Sequence, residues 1–117
     1  MKLPVTKHED DRRTLTEYIS NIPFKRAKII ESKGAVTVGN HYHNNNDSVF
    51  YILKGKCAYT LKEANSNSPS IRDWMFEGDC LFVPRGMIHK FELLPNTIML
   101  ETASEPYEES DEIPASI

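Results

Sequence analysis

A chain of 117 residues with 39% hydrophobic and 26% charged residues has the composition of one globular domain, long enough to bury about two-thirds of the surface its unfolded form exposes. That balance argues against disorder, and the longest apolar run, Val49 to Leu53, is too short to cross a bilayer, so no membrane partner is expected. The formal net charge of −3, with Lys and Arg scattered along the chain, leaves no basic face for nucleic acid.

The N-terminus reaches Lys7 and His8 without the apolar stretch of a secretory signal, which gives a cytoplasmic location as the expectation. Residues 1–23 read as an N-terminal arm or short helix. Leu15, Tyr18, Ile19 and Ile22 recur at spacings that fit one face of a helix over Asp10–Ile22 ended by Pro23, with an extended arm as the alternative. His8, outside any motif, reads as a surface residue.

Residues 24–103 change texture to short β-rich runs separated by turn formers: Ala27–Ser32, Ala35–Val38, Val49–Leu53, Cys57–Leu61, Leu81–Val83 and Ile98–Thr102. Many short strands at such spacing predict an all-β sandwich or barrel. The polar stretch Lys62–Ser70 reads as an exposed connection. Phe50, Tyr51, Tyr59, Phe82 and Phe91 default to core, although Tyr59 has a second option, pointing into a cavity and donating a phenolic proton. Trp74 is assigned to packing, with a subunit interface as one setting for it. Cys57 and Cys80 lie in strand-like stretches rather than in a Cys-x-x-Cys arrangement, and read as buried, inert thiols. Residues 104–117 carry Glu105, Glu108, Glu109, Asp111 and Glu112 with two prolines, an acidic tail that cannot build its own core and either frays or packs along the barrel.

Two stretches carry the chemistry. In Gly39-Asn40-His41-Tyr42-His43 the histidines are two apart, so on a strand both imidazoles project to one side and can share one ion. In Gly78-x5-Pro84-Arg85-Gly86-x2-His89, Gly78 and Gly86 can take positive φ, Pro84 stiffens the approach, and the turn aims a third imidazole. Arg85 reads first as a solvated surface arginine, with an anion grip as its functional option.

The second stretch matches the second motif of the cupin superfamily at every spacing, and His41, His43 and Gly55 fall into its first motif, so the chain resembles a small single-domain, cupin_2-like protein. The resemblance implies an all-β cupin double-stranded β-helix, a jelly-roll barrel with the short N-terminal helix or arm added. The first motif's glutamate ligand falls on Ser48, with Asp47 one residue early, and period-2 geometry sends these two to opposite faces unless the strand start is irregular. Downstream, Leu93 stands where the family often has asparagine.

Three readings of the site stay open: His41, His43 and His89 holding a divalent metal ion (Fe, Zn, Ni or Mn) completed by water; the same trio with Asp47 as fourth ligand; and metal-free histidines that bind a ligand or move protons. Gly-Asn-His-Tyr-His also resembles stretches in cupins of surface-polysaccharide biosynthesis, which implies a sugar or sugar-nucleotide isomerase or epimerase. There His41, His43 or His89 would take the proton beside a carbonyl, and a metal or Tyr59 would stabilise the enolate. An Fe(II)-dependent dioxygenase and a non-catalytic module that binds a small-molecule ligand are the alternatives. A homodimer is the expected assembly, because it would cover an exposed edge strand.

Overall fold

The computed structural model describes residues 1–19 and 22–117. Among them every regular element is a β-strand except one 3₁₀ turn, Glu109–Asp111. In chain order the strands are β1 Thr6–Glu9, β2 Thr14–Glu17, β3 Arg26–Glu31, β4 Val36–Tyr42, β5 Ser48–Lys54, β6 Lys56–Glu63, β7 Ile71–Phe76, β8 Cys80–Val83, β9 Met87–Leu93, β10 Ile98–Ala103 and β11 Ile113–Pro114. All pairings are antiparallel, in a four-stranded sheet β3-β10-β5-β8, a five-stranded sheet β11-β4-β9-β6-β7, and a separate β1-β2 hairpin.

The two larger sheets meet through their inner faces. Phe50, Ile52, Leu81, Val83 and Met99 from the first pack against Cys57, Tyr59, Leu61, Met75, Phe91 and Leu93 from the second. On β9 the inward set His89, Phe91 and Leu93 is buried while Lys90 and Glu92 between them are partly exposed, the period-2 pattern of a half-buried strand. Burying such side chains is worth about 1.5–3 kcal/mol each, which makes this core the main stabilising feature.

The run Val49–Leu53 departs from alternation for a physical reason. Its inward residues join the barrel core, whereas Val49 and Tyr51, with Cys80, pack on the outer face against Leu3, Val5, Tyr18, Ile19 and Ile22 of the N-terminal arm. The Tyr18 and Tyr51 rings stack at 4.7 Å. The arm is tied down further by the backbone, since Leu3 N–H donates to Cys80 O at 2.8 Å and Phe82 N–H to Met1 O at 2.8 Å.

The helix expected over Asp10–Ile22 is not there. Residues 20 and 21 of that span lie outside the described residues; Asp10–Arg13 forms the turn between β1 and β2, Thr14–Glu17 is β2, and Tyr18, Ile19 and Ile22 are in no regular element. The Asp10 carboxylate accepts from the backbone N–H groups of Arg12, at 2.8 Å, and Arg13, at 3.0 Å. Asp10 N–H donates to Arg13 O at 3.0 Å and closes the hairpin. An aspartate that satisfies local N–H groups in this way offers the backbone an alternative to a helix, and Thr6, Thr14 and Thr16 favour the extended form.

Cys57 and Cys80 are buried and unpaired, with burial pushing their thiols up to about 12 and about 11 respectively, so both stay protonated at neutral pH. Trp74 is partly exposed on the edge strand β7, stacked with Phe76 and covered by the Lys56 ammonium. No helix of the described residues is long and apolar enough to cross a membrane.

Candidate functional site

Strict alternation along β4 would bury the wrong residues. Val38 packs against the core, so a regular strand would next turn Asn40 and Tyr42 inward. The β4–β9 register runs Val38↔Phe91, Gly39↔Lys90 and then His41↔His89, with one residue inserted between them. Gly39 (φ 100°) and Asn40 (φ 61°) both lie in the left-handed region, and this bulge exchanges the faces so that His41 and His43 point to the interior. A Cβ on Gly39 would sit 2.5 Å from the His89 carbonyl oxygen, so the close approach of the two histidine strands also needs glycine.

His89 comes from the opposite direction. The Pro84–Gly86 turn is held by Gly86 N–H donating to His43 O at 2.6 Å, which ties the turn before His89 directly to the end of the other histidine segment. Ligand atoms of His41, His43 and His89 all lie within 4.8 Å of one another. The ring centroids are 4.6 Å apart for His41 and His89, 5.0 Å for His41 and His43, and 5.9 Å for His43 and His89. The convergence expected from two separate stretches of sequence is therefore what the fold builds.

Each Nδ1 atom faces an oxygen: Glu112 Oε1 at 3.3 Å for His41, Asp111 O at 2.8 Å for His43, and Met87 O at 3.3 Å for His89. Burial, reinforced by the neighbouring His41, pushes the His89 imidazole down to about 4. Burial, then His43, also lowers His41, partly opposed by Glu112. Both rings are thus neutral at pH 7, the form that binds metal.

The cavity over these rings is also lined by Arg26, Lys28, Glu101, Tyr107 and Glu112. Glu101 on β10 pairs with Phe50 on β5, facing inward, and is 7% exposed. Its carboxylate takes Lys28 Nζ at 3.2 Å, Arg26 at 3.7 Å and the Ser48 hydroxyl at 3.0 Å. Ser48, standing where the cupin motif has glutamate, thus donates to a carboxylate held on the neighbouring strand. Glu101 was not singled out in the sequence, although a lone carboxylate inside the apolar run Ile98–Thr102 is a signal for it.

The other expected site residues are placed elsewhere. Asp47 does not converge with the histidines. Its carboxylate is bound by Arg85 through the backbone N–H at 2.8 Å, Nε at 3.3 Å and an Nη at 3.1 Å, and these bonds hold it below the usual carboxylate range. Arg85 is therefore an ion-paired surface residue. Tyr59 belongs to the barrel core and does not line the cavity; Tyr107 is the tyrosine at the wall, its hydroxyl donating to Glu112 Oε2 at 2.7 Å.

The trio fits a divalent ion by donor chemistry and by spacing. Three nitrogens on one tetrahedral zinc, at Zn–N about 2.0–2.1 Å, lie roughly 3.3 Å apart. The ligand atoms here lie within 4.8 Å of one another, close enough for all three to face one ion. The carboxylates nearest the rings act on their outer nitrogens or on the cations of β3, so His41, His43 and His89 are the residues that would hold it.

A jelly-roll barrel of two antiparallel sheets with a histidine trio at one cavity defines a cupin-type fold. The chain belongs to the family described as polysaccharide biosynthesis C-terminal domain, whose model matches residues 8–92, rather than to the cupin_2-like group suggested by the motifs. Among solved structures it is similar to the capsular polysaccharide assembling protein CapF of Staphylococcus aureus, with a TM-score of 0.72 and 21% identity over 98% of this chain. The chain spans only 33% of CapF. It is also similar to the 3,4-ketoisomerase QdtA of Thermoanaerobacterium thermosaccharolyticum in complex with TDP-4-keto-6-deoxyglucose, at TM-score 0.84 and 20% identity, covering 97% of this chain and 85% of that one. The rmlC epimerase of Mycobacterium tuberculosis gives 0.83 and 16%, covering 95% of this chain and 66% of that one. Curated protein sequences give no match.

Proposed function

We propose that the chain holds a divalent cation on His41, His43 and His89 and acts on a nucleotide-linked keto sugar as an isomerase or epimerase. The observation that carries the reading is the meeting of three imidazoles at a cavity whose wall also presents proton-handling and cationic groups. Similarity in fold to a ketoisomerase bound to a TDP-keto sugar and to an epimerase supports the substrate class.

A bound cation would supply a Lewis acid for a carbonyl oxygen. With the rings committed to it, Glu101, Glu112 and Tyr107 remain to handle protons. Tyr107 and Glu112 share a hydrogen at 2.7 Å, so the pair can pass a proton between phenol and carboxylate at the cavity wall. Arg26 and Lys28 stand on the same side of β3, paired with Glu101, and with Glu112 on the same wall the side-chain charges balance, so it is their N–H groups that would meet an anionic part of the substrate.

The test is solvent exchange. Metal-loaded protein incubated with TDP-4-keto-6-deoxyglucose in D₂O is expected to place deuterium on the carbon beside the keto group, with dissolved oxygen unchanged. Absence of deuterium with every divalent cation tried contradicts the reading, and oxygen consumption with ferrous iron replaces it with the dioxygenase.

A further inference from the structure

The acidic segment after the barrel forms a strap across the histidine cluster. β11 adds to the edge of β4 opposite Tyr42 and His41, and Ala115 N–H donates to Asn40 O at 3.0 Å. The Asp111 carboxylate accepts from Asn44 N–H at 2.9 Å and Asn45 N–H at 3.1 Å. Lys90 Nζ reaches Ile117 O at 2.9 Å, and the Tyr107 ring lies against the Arg26 guanidinium, 5.7 Å from centroid to Cζ. Anchors on both sides of Asp111 and Glu112 fix where their oxygens sit.

From this we infer that the strap is a positioning element: Glu112 and the Asp111 carbonyl hold His41 and His43 as Nδ1–H tautomers, so that both offer the Nε2 lone pair to the cavity. A carbonyl or carboxylate oxygen only accepts, so the ring nitrogen facing it must carry the proton, and a neutral imidazole has only one to give. His43 Nδ1 is hydrogen-bonded to the Asp111 carbonyl at 2.8 Å, whereas Glu112 Oε1, 3.3 Å from His41 Nδ1 but outside hydrogen-bond geometry, acts through its negative charge, which disfavours a lone pair on the nitrogen it faces; both oxygens belong to the strap. His89 differs, because its Nδ1 faces the Met87 carbonyl of its own strand at 3.3 Å. It serves as an internal control that the strap does not touch through Nδ1.

The inference deepens the metal reading, since outer partners of this kind orient the ligand nitrogen and raise its basicity, but tautomers can be measured without a metal. Ring ¹⁵N chemical shifts of metal-free protein at about pH 8, where imidazoles are neutral, are expected to show Nδ1–H for all three histidines. Glu112→Ala should abolish the preference at His41 and spare His89, and Glu112→Gln, which keeps the shape but loses the charge, should weaken it as well. A chain ending at Ser104 should lose the preference at both His41 and His43. An Nε2–H form of His41 in the unaltered protein, or a His41 tautomer unmoved in Glu112→Ala, overturns the inference whether or not the shortened chain folds. Co(II) titration separates this from the parent reading. Glu112→Ala should bind about 10- to 100-fold more weakly; unaltered protein that binds no Co(II) sinks the metal reading while the tautomer data still decide the strap.

Discussion

Both chain termini lie against the barrel, and they do so with opposite chemistry. The N-terminal arm places Leu3, Val5, Tyr18, Ile19 and Ile22 on the outer face of β5 and β8, a cover held mainly by apolar burial. The C-terminal strap contributes almost nothing apolar to the core and instead directs Tyr107, the Asp111 carbonyl and Glu112 at the cavity and its rings. One cover completes the packing, and the other completes the polar environment of the site. Damage to the first should therefore show in stability, and damage to the second in the behaviour of the histidines.

Acid should open the widest gap between the two sides. His89 is 5% exposed and its imidazole is held down to about 4, against about 6.5 in an unfolded chain. Below about pH 6.5 the unfolded state takes up a proton that the folded state refuses, so metal-free protein keeps its full stability above that pH and loses it as the pH falls toward 4. His41 shifts in the same direction, moderated by Glu112 and then Glu101, and Glu101 moderates the shift of His89 as well. The expected loss is of order 3 kcal/mol, read from urea unfolding at stepped pH, and it should flatten in His89→Gln. A flat profile in the unaltered protein contradicts the burial argument.

On the apolar side, Tyr18→Ala removes the ring stacked on Tyr51 and should cost about 2 kcal/mol of unfolding free energy. Co(II) affinity should stay as it was, and a parallel fall in affinity would break the division between the two covers. The smallest effect is expected at Asp47, whose carboxylate serves Arg85 and not the cavity. Asp47→Ala should cost about 1 kcal/mol in stability and leave Co(II) affinity unchanged; a tenfold drop would return Asp47 to the ligand set.

The same contrast explains what could be read from the sequence. Gly78, Pro84 and Gly86 act through local turn chemistry, so the stretch that aims His89 was legible without any knowledge of its neighbours. Hydrophobic runs gave most barrel strands to within a few residues. β7 was missed because Ile71–Phe76 carries Arg72, Asp73 and an exposed Trp74 on an edge, where no clear period survives. The leucine–tyrosine–isoleucine spacing near the N-terminus suits a helix and an extended apolar arm alike, and only the Asp10 turn decides between them. The strap's role at the histidine rings and that of Glu101 were missed for a different reason. Their roles are long-range hydrogen bonds, Asp111 to His43 and Glu101 to Ser48, and nothing in local composition encodes such partners. The Gly39–Asn40 bulge lies between these cases, since a glycine–asparagine pair signals positive φ but its effect on which residues face inward depends on β9.

The central claim is that His41, His43 and His89 act together on one divalent cation. Elemental analysis of untagged protein, alongside His43→Ala prepared in the same way, tests it most directly. The account predicts metal in a one-to-one ratio with the unaltered chain and its loss in the variant. Protein that carries no metal even after incubation with Fe(II), Zn, Ni or Mn, or a variant that keeps its full complement, would contradict it.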